Sequence, residues 1–125
     1  FGIRNLSKSE MDFYNNNRER MEIFWAKDKR NWDLEKLNKL FENKQVYITF
    51  DVDSFDASIM PATGTPEPGG IFWDEALEII RIACKNSKIV GADVNELAPI
   101  KGFNSYNFLV AKLVYKILSY KFLLK

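Results

Sequence analysis

The run Val46-Tyr47-Ile48-Thr49-Phe50 constrains this chain more than any other stretch, because it is apolar, β-branched or aromatic on both faces. A strand of that kind belongs in the middle of a parallel sheet with helices packed over it. A second apolar run, Lys88 to Asp93, reads as another strand. Between the two lies a helical pattern opened by Asp74, with Leu77, Ile80 and Cys84 along one face. Strand, helix, strand at this spacing predicts a βαβ unit with a right-handed crossover, and therefore an α/β fold.

The flanks repeat the theme. Phe1-Gly2-Ile3-Arg4 reads as the end of a strand, and Ser7 with Glu10 three residues on has the spacing of a capping box before a short polar helix. Met21 to Ala26 is a further strand candidate. Asp33 caps a helix carrying Leu34, Leu37 and Phe41 at i, i+3 and i+7. A strongly apolar helix runs from Ser105 to about Leu123, and Lys112, Lys116, Lys121 and Lys125 are expected on its wet face. The chain begins inside the apolar run Phe1 to Ile3, without an initiator methionine, so it is expected to be a piece of something longer.

Composition excludes several classes of function. The net charge of +1, from 18 basic and 17 acidic side chains, argues against a nucleic-acid surface. A single cysteine, Cys84, excludes an internal disulfide framework and reads as a small buried hydrophobe. No apolar run reaches membrane-spanning length without a charge, and no signal peptide is visible, so a cytoplasmic protein with no membrane partner is expected.

Both predicted strands end in carboxylates. The first ends in Asp51 and Asp53, with Asp56 just beyond, and the second in Asp93, followed by Glu96. Ligands of parallel sheets gather beyond the carboxyl ends of the strands, so these groups converge on one edge. Three aspartates within six residues repel one another unless something positive sits among them, and an all-oxygen set suits Mg, Mn or Ca. Aspartates in such places also simply cap turns. A calcium EF-hand does not fit, since the acids stand at positions 1, 3 and 6 after a strand. An Asp-x-Asp phosphatase of the haloacid dehalogenase type stays open, although Ser54-Phe55 follows in place of its small turn. The loop from Met60 to Gly70 holds three prolines and three glycines, a shape fixed in advance, directly behind the aspartates. The chain has no histidine to complete a metal site.

The stretch from Thr49 to Gly70 resembles the signature of the ureohydrolases, the family of arginases, agmatinases and formimidoylglutamases. It has the Asp-x-Asp, a third Asp three residues on, the Pro-Ala-Thr-Gly-Thr-Pro turn and the closing Gly-Gly. Thr49 stands where a Ser is usual, and Ala57 where a Pro is commoner. Gly2-Ile3-Arg4 and Val90 to Pro99 extend the likeness along the whole chain. The resemblance implies a three-layer αβα fold with a mainly parallel sheet, arginase-like, of which residues 1–125 form the carboxyl-terminal portion of a single domain. It implies a hydrolase with two Mn ions, which lower the pKa of a shared water so that hydroxide attacks a guanidinium carbon.

Position by position, Asp51 would bridge the two ions, Asp53 would ligate one, and Glu96 would grip the substrate guanidinium as the catalytic carboxylate, with Thr65 beside it. Asp56 would support the ligands from behind, while Asp93, Arg4 and Trp73 are read as structural. The family's histidine-bearing metal motifs lie upstream of its Gly-Ile-Arg strand, so this segment alone is expected to be inactive or nearly so. Agmatine, split to putrescine and urea, is the favoured small guanidino substrate, since the Gly-Ile-Arg-Asn opening and Glu96 to Ile100 look most like microbial agmatinases. Arginase is the runner-up, with guanidinobutyrase and formimidoylglutamase behind. The resemblance also implies a homo-oligomer, trimer or hexamer. A truncated, non-catalytic paralogue serving as a structural subunit is the reading from a different class.

Overall fold

A parallel pair forms the centre of the computed structural model, which describes residues 1–124. Strand β1 (Gln45–Asp51) lies beside β2 (Lys88–Asn95), in register from Gln45 opposite Lys88 to Asp51 opposite Asn95, with an irregularity after Val46. Their carboxyl ends therefore meet at one edge, as the sequence predicts. Helix α3 (Trp73–Asn86) makes the crossover, and it packs on α2 (Leu34–Phe41), β2 and α4 (Asn104–Leu123).

Local chemistry sets the helix starts. In α1 (Lys8–Asn15) the capping box forms in both directions: the Glu10 N–H donates to Ser7 Oγ, and the Ser7 N–H to Glu10 Oε2 at 2.7 Å. Asp33 accepts from the N–H groups of Glu35 and Lys36 at the start of α2. Helix α3 begins one residue before Asp74. Phe72 has no side-chain acceptor there, and Glu75 supplies the cap by accepting the Phe72 N–H at 2.7 Å.

One core runs beneath the site. Phe50, Val52, Phe55, Met60 and Ile71 pack with Ala76 and Ile80 of α3 and with Leu113 and Ile117 of α4. Each large apolar side chain there contributes roughly 1.5–3 kcal/mol by leaving water. A second cluster joins Phe24, Leu37 and Ile82, so α3 buries residues on two sides rather than one. Cys84 is buried, and burial raises its thiol pKa.

Two expectations need correction, and a third gains an addition. Met21 to Ala26 is not a strand: it meets Ile3 only at Trp25, and the chain then turns through a 3-10 segment, Ala26–Asn31. The indole Nε1 of Trp32 takes the Trp25 carbonyl at 3.1 Å, away from any ladder. Strand β1 is covered on one face only. Val46, Ile48 and Phe50 pack on the core, whereas Tyr47 is 58% exposed. The Tyr47 ring lies instead across Gly91, its partner in register, where an added Cβ would stand 2.6 Å from the ring. The outer face of α4 carries its lysines, with Lys112 exposed as expected, and is strongly aromatic as well. Phe108, Tyr115 and Phe122 are exposed, and the ammonium groups of Lys112 and Lys121 lie over the rings of Tyr115 and Phe122. Lys125 lies outside the described residues. Among the described residues no helix is long and apolar enough to cross a membrane.

Candidate functional site at the carboxyl ends of the strands

Strict pleating would send Asp51 and Asp53 to opposite faces. The chain avoids this by turning. Asp51 accepts the Asp53 N–H at 2.9 Å, and Ser54 Oγ donates to the Asp51 carbonyl at 2.7 Å, closing a 3-10 turn over Val52–Ser54. Val52 is driven fully into the core, and both aspartates line one groove. Thr65 Oγ1 donates to Asp53 Oδ2 at 2.8 Å. Burial is the largest influence on Asp51 and raises its carboxyl pKa. The Asp53 N–H works against that rise, while the negative charges of Asp53 and Glu96 add to it. Such a cluster is electrostatically suited to a cation.

The loop behind is held by Asp56. This buried carboxylate accepts the Ser58 hydroxyl, the Ser58 N–H at 2.9 Å and the Gly69 N–H at 2.6 Å. The Ser58 hydroxyl, followed by the backbone amides of Ser58, Gly69 and Gly70, holds its pKa down at about 2. The two closing glycines have separate reasons. Gly69 takes a φ of +84°, which disfavours a side chain, and a Cβ on Gly70 would meet the Phe55 carbonyl carbon at 2.4 Å. Asp56 and Ile71 complete the closure: the Asp56 N–H donates to the Ile71 carbonyl, and the Ile71 N–H to that of Ser54, both at 2.9 Å.

Glu96 follows directly on Asn95, which pairs with Asp51, so its backbone enters at the same edge, near enough for its charge to act on the Asp51 carboxyl. Its φ is +64°, a left-handed conformation that costs a non-glycine residue roughly 1–2 kcal/mol. The Ala98 N–H donates to the Ala62 carbonyl at 2.8 Å, tying the Glu96 segment to the proline-rich loop. That strain sits where backbone strain often marks function.

A groove of about 650 Å³ runs along the edge of β1 that β2 leaves unpaired. Its polar end holds Asp51, Asp53 and Thr65, and its apolar part includes Ile48, Phe50 and Ile80. Glu96 lies outside that wall. Arg4, Asn5 and Glu67 also line the polar end. The sequence offered one signal for Glu67, a carboxylate placed between two prolines in the rigid loop. Trp73 stacks on Phe55 at 6.3 Å between ring centres, in the core. Asp93 faces Thr49 within the sheet, and Asn95 Nδ2 occupies its carboxylate at 2.5 Å. Among the described residues, no group of three or more His, Cys, Asp or Glu side chains is gathered closely enough to hold a metal ion.

The sequence pattern of the Arginase family matches residues 1–119. Over 121 residues the chain is 37% identical to the N(1)-aminopropylagmatine ureohydrolase of Synechocystis, covering 94% of this chain and 39% of that protein. It is 31% identical over 120 residues to the agmatinase of Pyrococcus horikoshii, covering 94% of this chain and 41% of that one. The arginase of Helicobacter pylori superposes on 97% of this chain and 41% of its own with a TM-score of 0.82, at 23% identity, a likeness of fold. The chain thus spans about two fifths of the curated relatives it matches.

Proposed function

The chain belongs to the arginase family, and from that premise we propose that it is the carboxyl-terminal part of a binuclear manganese ureohydrolase acting on agmatine or a close relative. One observation carries the reading: Asp51 and Asp53, from the family's Asp-x-Asp, line one groove, and Glu96 enters at the same edge. The donors fit a hard divalent cation, being carboxylate oxygens under mutual repulsion. They are too few to enclose one, and a chain spanning two fifths of its relatives leaves room for the remaining ligands elsewhere in the complete protein.

Asp51 and Asp53 would hold the metal pair, which when bound supplies a water acidic enough to attack at neutral pH. Every other part of the work falls to the protein. Thr65 donates to one Asp53 oxygen and so fixes the plane of that carboxylate. Asp56 locks the loop that carries Thr65. Glu96 is exposed, and its carboxylate can accept two N–H groups of a planar guanidinium. The relatives named for agmatine and aminopropylagmatine support a guanidino amine as substrate, with arginine as the alternative. With its donor set incomplete, the chain by itself hydrolyses guanidino compounds negligibly.

The test is metal and substrate binding in the complete enzyme. Asp53→Ala loses bound manganese, whereas Glu96→Ala keeps the metal and raises KM for agmatine. Full manganese occupancy in Asp53→Ala would show that Asp53 is no ligand.

A further inference from the structure

The Arg4 guanidinium holds the turn that carries Asp53. Its Nη1 donates to the carbonyls of Gly2 and Ser54, both at 3.0 Å, and its Nη2 donates to the Asp53 carbonyl. The side chain is only 12% exposed, and Nε has no hydrogen-bond partner, with Glu67 Oε2 standing 3.8 Å away. Asn5 Nδ2 donates to that same Glu67 oxygen at 2.6 Å. Glu67 lies two residues beyond Thr65, whose hydroxyl bonds the Asp53 carboxylate. Asp53 is therefore held at its carbonyl by Arg4 and at its carboxylate by Thr65. The segment bearing Thr65 is anchored in turn through Glu67 to Arg4 and Asn5. These contacts close a ring around one carboxylate.

We propose that Arg4, with Glu67 as its counter-charge, is a positioning residue that sets the aim of the Asp53 carboxylate toward the metal. The inference rests on the manganese reading above. Three carbonyls converge on one planar fork, a geometry that a lysine ammonium on a flexible stem does not reproduce. Arg4→Lys therefore keeps the charge and loses the alignment. Removing a group that orients a metal ligand typically weakens metal affinity by about 10- to 100-fold.

The experiment titrates manganese into the metal-free complete protein and follows the amide signals of this segment by NMR, where the paramagnetic ion broadens nearby resonances. Melting temperature is measured alongside. In the wild type the signals of residues 51–54 and 65 broaden first. Arg4→Lys needs about tenfold more manganese for the same broadening, Glu67→Gln shifts in the same direction, and both melt close to the wild type. A purely structural role would lower melting and leave the titration unchanged. Equal broadening in Arg4→Lys and wild type overturns the inference and leaves the manganese reading standing. No broadening at Asp51 and Asp53 in the wild type overturns both. Should Arg4→Lys fail to fold, Glu67→Gln decides, since its side chain is 43% exposed, and an unchanged titration there refutes the proposal.

Discussion

Replacing Asp56 by Asn tests whether the loop behind the aspartates is held by a buried negative charge. In the folded chain this carboxyl titrates at about 2 instead of 3.8, chiefly because of the Ser58 hydroxyl and then the amides of Ser58, Gly69 and Gly70. At about 1.4 kcal/mol per pH unit, that depression corresponds to about 2.5 kcal/mol of folding stability. Because the folded-state pKa is the lower one, the contribution is complete above the unfolded value of 3.8 and fades as pH falls toward 2. Asn keeps one acceptor oxygen but turns an NH₂ toward amide donors, so Asp56→Asn removes the charge-assisted bonds at every pH. Urea denaturation near neutral pH should then show a loss of about 2–3 kcal/mol, a midpoint shift of more than about 1 M at a typical urea slope. Repeated at the acid end of the range, the difference between variant and wild type should shrink to less than about 1 kcal/mol, since both are then uncharged. A gap that stays constant with pH, or no gap near neutrality, would refute the assignment of the loop's rigidity to this carboxylate.

Other substitutions probe the same edge of the sheet. Gly70→Ala places a Cβ 2.4 Å from the Phe55 backbone and should destabilise the chain by about 2 kcal/mol or more, read by denaturation. Glu96→Gly should raise stability by roughly 1 kcal/mol through relief of the positive φ, while the completed enzyme loses affinity for agmatine. Lys29→Met leaves Gly70 and Glu75 without their shared ammonium, at 2.8 and 3.0 Å, and should lower the melting temperature by several degrees, on the order of 1–2 kcal/mol.

Much of this was legible in the sequence because local chemistry decided it. The Ser7–Glu10 box and the Asp33 cap each fix a helix start within one turn of the residue that signals it. The parallel pairing of β1 and β2 followed from apolar runs with a helix between them, and it brought Asp51 and Glu96 to one edge. What escaped depended on long-range geometry. Arg4 lies 50 residues from its acceptor Ser54, and no spacing rule connects them. The single-sided burial of β1 was hidden because Tyr47 and Thr49 suit a covered face as well as an open one. The strand expected near Phe24 ends where the chain turns into the 3-10 segment, with the Trp25 carbonyl accepting the Asp28 N–H and the Trp32 indole, contacts that composition does not encode.

The most direct test joins this chain to the upstream part of one of its agmatine-type relatives and measures urea released from agmatine with and without manganese. Manganese-dependent urea release is expected from the folded chimera, with none from the 125-residue chain alone and none from a chimera carrying Asp53→Ala. Turnover by the isolated chain at a comparable rate, or a chimera indifferent to Asp53→Ala, would contradict the claim that Asp51 and Asp53 are part of a divided metal site.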